Sequence, residues 1–258
     1  MVQVSFHGAL ASVGCSSVLV DTGIEKIVLD YGTKIQEIPP LFPIPIQGKI
    51  DAVLLSHAHL DHSGAVPVLE ARNNGARVFT PNVTKQLSEL LWLDSIKISH
   101  EEKVELPFNK KDVTETLKKF VPTNFRHPFK LKKSKVTLFD AGHIPGSTMP
   151  FIDTGEKTIL YTGDYKIAPT RLMKGADTNL PDVDIYDVED QSELLIVADL
   201  PGVKKGDAHI EIDENNAANI NQLIYETKPF FKTILAGLHI NSIRSEANAT
   251  WQLEQFEW

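Results

Sequence analysis

The chain has 258 residues, of which 42% are hydrophobic and 23% are charged, as is ordinary for a globular protein. Its net charge of −8 argues against a protein that coats nucleic acid nonspecifically, because phosphate binding draws on Lys and Arg. The single cysteine, Cys15, excludes an intramolecular disulfide, and no apolar run reaches the ~18 residues of a membrane span. We therefore expect a cytoplasmic protein with no signal peptide and no membrane partner.

Strands and helices are predicted to alternate along the first 185 residues. The predicted strands cover residues 2–6, 17–20, 26–29, 50–56, 77–79, 136–139 and 158–161. The predicted helices cover residues 63–70, 83–93 and 111–120, the second of them opened by Pro81. This alternation, with no internal repeat, predicts a layered α/β fold.

The character of the sequence changes near Tyr186. Residues 187–193 are acidic, strands are predicted over 193–200 and 209–212, and a weak helical pattern covers 220–225. We therefore predict a catalytic core over residues 1–185 and a divergent C-terminal segment over residues 186–258.

Metal-ligating side chains follow three of the predicted strands. The strand over 50–56 runs into the sequence HAHLDH, the strand over 136–139 precedes His143, and the strand over 158–161 precedes Asp164. His nitrogen and carboxylate oxygen are the donors that zinc prefers. On a loop, His57 and His59 can bind one ion with His143, while Asp61 and His62 turn toward a neighbouring ion. Asp164 is then placed to bridge a pair of ions about 3.5–4 Å apart.

The sequences of these motifs resemble those of a known protein family. The pattern of His57-x-His59-x-Asp61-His62, with distant His143 and Asp164, resembles the metallo-β-lactamase superfamily. The stretches SHAHLDHSGA, DAGHIPGS and YTGDY are similar to the β-CASP nucleases, the branch that includes RNase J and the endonuclease of mRNA 3′-end processing. The resemblance covers roughly residues 1–185.

This resemblance implies an αββα sandwich and a zinc-dependent ribonuclease. His57, His59 and His143 would hold one zinc ion, Asp61 and His62 the other, and Asp164 would bridge the two. Asp61, His62 and Asp164 would be the catalytic residues, and a metal-bound hydroxide would attack a phosphodiester of an RNA substrate. Cleavage could be endonucleolytic or 5′-exonucleolytic.

The resemblance ends beyond Asp184. The family continues with an acidic motif, a cap of roughly 200 residues and a histidine that completes the second zinc site, and none of these is evident here. We therefore expect a sandwich that is incomplete at the C-terminus, an atypical tail and a weakly loaded second zinc site. His209 and His239 are the only histidines after Asp164, and neither lies in a family-like motif. Residues 187–215 resemble the early strands of a small heat-shock protein.

Other functions remain open from the sequence. The same fold could serve a metallo-hydrolase of small esters, thioesters or lactams, because one fold hosts many chemistries. The missing cap and final ligand also allow a catalytically inactive RNA- or protein-binding subunit. A homodimer is a further option, and a chaperone role for the tail is the most remote one.

Overall fold

The computed structural model describes residues 2–9, 13–72 and 74–180, together with three short strands farther along the chain. The first sheet has six strands in chain order, of which the first three are antiparallel and the last four are parallel. Its strands are β1 (Gln3–Gly8), β2 (Ser17–Asp21), β3 (Lys26–Leu29), β4 (Ala52–Leu54), β5 (Arg77–Thr80) and β6 (Phe120–Pro122).

Four helices are described, and three of them supply buried side chains to the core beside the first sheet. The helices are α1 (Leu60–Ser63), α2 (Val66–Ala71), α3 (Asn82–Glu102) and α4 (Lys110–Lys118). A capping box begins α4, because the Asn109 side chain accepts from the N–H of Asp112 and the Asp112 side chain accepts in return.

The second sheet has four antiparallel strands in the order β10-β9-β8-β7. They are β7 (Phe129–Lys130), β8 (Lys135–Asp140), β9 (Thr148–Asp153) and β10 (Thr158–Leu160). Since β8 and β10 both run antiparallel to β9, they point in the same direction and end at the same edge of the sheet.

Alternating side chains of the central strand β4 divide the core into two clusters. Val53 and Leu55, the residue that follows β4, pack with the helices, whereas Ala52 and Leu54 pack against Leu138 and the rest of the second sheet. A strand alternates its side chains between two faces, so an uninterrupted apolar run indicates burial on both. The layers are therefore helices, first sheet and second sheet.

The outer face of the second sheet is partly covered by the segment that follows β10. Phe139 and Met149 pack there with Tyr165, Ala176 and Leu180, and residues 165–180 contain no helix or strand. Three of the four layers of an αββα sandwich are thus present within the described residues. This confirms the predicted α/β class.

Several elements differ from the prediction. The helix expected over 111–120 ends at Lys118, because Phe120 begins the edge strand β6. The strands β7 and β9 were not predicted, and α3 extends to Glu102 rather than ending near residue 93.

Three strands lie in the C-terminal part of the chain and form an antiparallel sheet of their own. They are β11 (Ala208–Ile210), β12 (Leu223–Tyr225) and β13 (Ile234–Leu235). The weak helical pattern over 220–225 predicted a helix, and this prediction is wrong over Leu223–Tyr225, which form β12. The strand predicted over 193–200 lies outside the described residues, and the boundary near Tyr186 stays a prediction. Among the described residues, no helix is long and apolar enough to cross a membrane.

Candidate metal centre

The ends of four strands meet at one edge of the sandwich. In the first sheet, β3 and β4 are parallel, so Asp30 and the loop that begins at Ser56 leave the sheet at the same edge. In the second sheet, His143 follows β8 and Asp164 follows β10. The two sheets therefore each contribute candidate ligands to one site.

Four side chains converge most tightly there. One ligand atom from each of His57, His59, His143 and Asp164 lies within 4.8 Å of the others. His59 Nδ1 is 3.0 Å from His57 Nε2 and 3.2 Å from His143 Nε2. His57 is fully buried, whereas the other three are partly exposed and face an accessible edge.

The carboxylate of Asp164 faces two groups of side chains with its two oxygens. Oδ2 lies 3.4 Å from His143 Nε2 and 3.8 Å from His57 Nε2. Oδ1 lies 3.3 Å from His62 Nε2, and Asp61 Oδ2 lies 3.8 Å from the same nitrogen. All six predicted residues thus lie around the site, four of them in one group and Asp61 and His62 beside it.

The spacing of the three imidazoles fits a metal ion. Four ligands placed tetrahedrally at zinc–nitrogen distances of about 2.0–2.1 Å lie about 3.3 Å from one another. The observed nitrogen–nitrogen distances of 3.0 and 3.2 Å are close to that value. Three imidazoles and a carboxylate are also a donor set that zinc accepts. The site can therefore hold a metal ion.

Asp30, which the sequence interpretation missed, organises the base of the site. It is completely buried. Its Oδ1 accepts from the backbone N–H of Ser56, and its Oδ2 accepts from the Ser56 hydroxyl, His62 Nδ1 and the Tyr161 hydroxyl. Asp30 directly follows β3, much as the predicted ligands come soon after strands, and this position was the signal available in the sequence.

Through these bonds Asp30 orients two histidines. The Ser56 hydroxyl donates its one hydrogen to Asp30 at 2.6 Å, so it accepts from His57 Nδ1 at 3.0 Å. His62 donates from Nδ1 directly to Asp30 at 2.7 Å. In both rings Nε2 is left to face the centre. Such outer hydrogen bonds fix the tautomer and orientation of metal-ligating histidines.

The electrostatics of the site separate the histidines into two kinds. Burial, together with the nearby positive charge of His62, lowers the pKa of His57 to about 2. Burial likewise lowers the pKa of His143. A neutral imidazole is the form that binds a metal, so these two rings are ready to do so.

His62 behaves oppositely. Burial lowers its pKa, but hydrogen bonds to Asp164 and Asp30 outweigh burial and raise the pKa of His62 well above its usual value. The pKa of Asp164 lies below its usual range, because the bond from His62 and the neighbouring histidines outweigh the effect of burial. His62 therefore lies between two carboxylates that both favour its protonated form.

The loop that carries His143 is held by its own polar side chains. Ser147 Oγ accepts from the N–H groups of His143 and Ile144, and the Thr148 hydroxyl donates to the carbonyl of Ser56. Ser147 and Thr148 are both completely buried. Ser147 thus stabilises its own turn, whereas Thr148 joins the start of β9 to the residue that precedes His57. His209 falls in β11, whose side chains are not described, and His239 lies outside the described residues.

The layered α/β fold, with its group of three histidines and an aspartate at one edge, is that of a protein that can hold a metal ion. A family model described as Anti-Pycsar protein Apyc1 matches residues 11–196, and the chain belongs to that family.

Curated relatives from archaea are similar over the same part of the chain. A Probable RNase MJ4 of Methanocaldococcus jannaschii is 41% identical over 192 residues, which are 72% of this chain and 45% of the relative. The RNase aCSPSF2 of Saccharolobus solfataricus is 31% identical over 185 residues, or 70% of this chain and 37% of the relative. A Transcription termination factor FttA of Methanosarcina mazei is 30% identical over 227 residues, or 83% of this chain and 35% of the relative.

These names support the β-CASP branch indicated by the motifs. They give no support to a resemblance of residues 187–215 to a small heat-shock protein. The chain spans less than half the length of these relatives.

Solved structures of lower similarity also match. A Cronobacter sakazakii metallo-β-lactamase with a HARLDQ motif is 22% identical, with a TM-score of 0.42 and coverage of 65% of this chain and 64% of that one. The metallo-β-lactamase fold protein YhfI of Bacillus subtilis is 17% identical, with a TM-score of 0.39 and coverage of 63% and 62%.

Proposed function

We propose that this chain is the core of a zinc-dependent ribonuclease that hydrolyses phosphodiester bonds of RNA. The main observation in support is that Asp164 faces His57 and His143 with one carboxylate oxygen and His62 with the other. A carboxylate in this position suits a bridge between two ions. The names of the archaeal relatives favour RNA over other phosphodiester substrates.

In this proposal His57, His59 and His143 would hold the first zinc ion. Asp61 and His62 would hold the second ion, and Asp164 would contribute to both. A zinc pair, when bound, would activate water near neutral pH and stabilise negative charge on phosphoryl oxygens.

The residues around the ions have roles of their own. Asp30 and Ser56 keep the Nε2 atoms of His57 and His62 turned toward the centre. Asp61 lies at the accessible edge, 3.8 Å from His62 Nε2, where it can orient a water molecule. The second ion would have Asp61, His62 and Asp164 as its ligands among the described residues, so its binding should be the weaker one.

The first experiment is zinc per chain, measured by elemental analysis on the purified full chain. About two equivalents support the two-ion centre, one equivalent supports a filled first site beside a weak second site, and none contradicts the centre. The chain is then incubated with 5′-labelled single-stranded RNA, with zinc or with EDTA. Cleavage that needs zinc and is lost in Asp164→Asn supports the proposal. His100→Ala is the control, since His100 is exposed in the last turn of α3 and is not among the residues that converge at the site.

The alternatives predict different results. Turnover of a small ester with intact RNA would favour the small-substrate hydrolase. RNA that is bound but stays intact with two zinc ions present would favour an inactive binding subunit.

A further inference from the structure

Arg126 and Asp177 form an ion pair beside the loop that carries His143. Arg126 donates from Nε to Asp177 Oδ2 at 3.1 Å and from Nη2 to Oδ1 at 2.5 Å. Two parallel bonds between guanidinium and carboxylate fix orientation as well as distance. The Arg126 backbone is also held, because its N–H donates to the carbonyl of Leu138 in β8 while its φ is 60°. A positive φ is uncommon for a residue other than glycine, so a specific contact maintains this geometry.

Asp177 in turn holds the end of β8. Its backbone N–H donates to the carbonyl of Asp140 at 2.8 Å, and its Oδ2 accepts from the N–H of Asp140 at 3.0 Å. Asp140 Oδ1 then accepts from the N–H of Gly142 at 2.8 Å. The position of Asp177 is thereby transmitted to the residue that precedes His143.

The segment from Asp164 to Asp177 lies directly on the same loop. The N–H of Lys166 donates to the carbonyl of Ala141, and the N–H of Ala176 donates to the carbonyl of Lys166, both at 2.7 Å. A Cβ at Gly142 would lie only 2.4 Å from Ala176 N, so backbone meets backbone there. The segment from Asp164 to Asp177 therefore begins at one candidate ligand and packs on the loop that carries another, His143. The ion pair with Arg126 holds its far end.

We infer that Arg126 and Asp177 are positioning residues that hold His143 and Asp164 at the spacing of the metal centre. The inference rests on the proposed function, because it assigns the pair a role toward the proposed zinc ligands. No described contact joins Arg126 or Asp177 to those two side chains, so their effect passes through the backbone of residues 140–142 and 166–177.

Positioning and a merely structural role predict different results. The Arg126 side chain is 59% exposed, and exposed ion pairs stabilise a fold little. Removal of its charge should therefore leave the metal-free fold almost unchanged if the pair is only a surface contact. If the pair positions ligands, zinc affinity should fall out of proportion to stability.

The test compares Arg126→Gln, Arg126→Lys and Asp177→Asn with the parent full chain. Zinc affinity is measured by competition with a chromogenic chelator, and Tm is measured in EDTA. Lys118→Gln is the matched control, because Lys118 also forms an exposed ion pair, with Glu115 on α4. We expect Arg126→Gln to bind zinc about tenfold more weakly, at the lower end of the effect of groups that bond the metal ligands directly. Its Tm should shift by less than about 3 °C.

Further readouts separate positioning from charge. Arg126→Lys keeps the charge but loses the two-bond geometry, so its zinc affinity should lie between those of parent and Arg126→Gln. The absorption bands of the cobalt-substituted protein should shift in Arg126→Gln and not in Lys118→Gln.

Parent-like zinc affinity in Arg126→Gln would overturn the inference, and so would an equal loss in Lys118→Gln. If Asp177→Asn does not fold, Arg126→Gln still decides. A parent chain that binds no zinc would overturn the proposed function together with this inference. A parent that binds zinc, with Arg126→Gln unchanged, would overturn the inference alone.

Discussion

Replacement of Asp30 by Asn should weaken both the fold and the second metal site. Asn has the size of Asp and tolerates the positive φ of 58° found at this position, so the change isolates the carboxylate. The carboxylate accepts four hydrogen bonds, three of them at Oδ2. If the Asn oxygen takes the place of Oδ2, the amide group faces the N–H of Ser56, and two donors are left unsatisfied.

The magnitude follows from this count of donors. Each buried unsatisfied group costs about 1–3 kcal/mol, and His62 also loses its charged partner. Breaking a buried ion pair from one side costs about 3–5 kcal/mol, which is our estimate for Asp30→Asn. For a domain of this size, that loss corresponds to a decrease in Tm of about 10 °C. Zinc affinity at the second site should fall about 10- to 100-fold, as when other outer partners of metal ligands are removed.

Urea unfolding in EDTA, followed by circular dichroism, measures the loss of stability. Zinc titration of the same protein measures the loss of affinity. Asp94→Asn serves as the control, because Asp94 is an exposed residue of α3 and its replacement should change stability by less than about 0.5 kcal/mol. A loss below about 1 kcal/mol in Asp30→Asn, or two parent-like zinc affinities, would refute the reasoning.

Three further substitutions test other parts of the structure. Glu25→Gln should lower the free energy of unfolding in urea by about 2–3 kcal/mol. The buried Glu25 carboxylate accepts hydrogen bonds from the backbone N–H groups of residues 132–134, and an amide cannot satisfy all three. Stability equal to that of the parent would contradict this. Although burial raises the pKa of Asp51, bonds from Lys132 and from a backbone N–H lower it overall. Asp51→Asn should therefore lower the free energy of unfolding by about 1 kcal/mol at pH 6. This difference from the parent should be smaller at pH 3, because the parent's Asp51 carboxylate becomes protonated as the pH falls. A difference that is larger at pH 3 than at pH 6 would contradict the prediction. Gly32→Ala should lower the free energy of unfolding by roughly 3 kcal/mol or more and should also lower the zinc content. A Cβ at this position would lie 1.6 Å from the Asp61 carbonyl oxygen. An unchanged Tm would contradict this prediction and show that the loop can move.

The sequence predicted which side chains converge at one edge better than it predicted the elements around them. The ligand positions were accessible because each follows an apolar strand, and strand ends of one direction meet at one edge. The strand β9 was not predicted because Thr148–Asp153 contains Pro150 and directly follows the turn after His143. The segment therefore lacks a clear alternating pattern of apolar and polar residues. The end of α4 was misplaced because Phe120 fits the apolar period of the helix, although it lies in β6 and packs with Trp92 on α3.

Asp30 shows what a sequence pattern leaves undetermined. An acidic residue that follows a strand is as common in turns as in functional sites, and nothing local states that its carboxylate will be buried. The contacts that define its role come from Ser56, His62 and Tyr161, which are 26, 32 and 131 residues away. Such a role depends on the packing of two sheets, which no short motif describes.

The same dependence applies to the metal centre as a whole. His57 and His59 follow a strand of the first sheet, whereas His143 and Asp164 follow strands of the second. Each sheet alone places two of the four candidate ligands, and the packing between the sheets sets the separation of the two pairs. Leu54 of β4 packs against Leu138 of β8 in that layer, and both side chains are fully buried. Since protein cores are close-packed and transmit small shifts, the inter-sheet core determines ligand geometry as directly as the loops do.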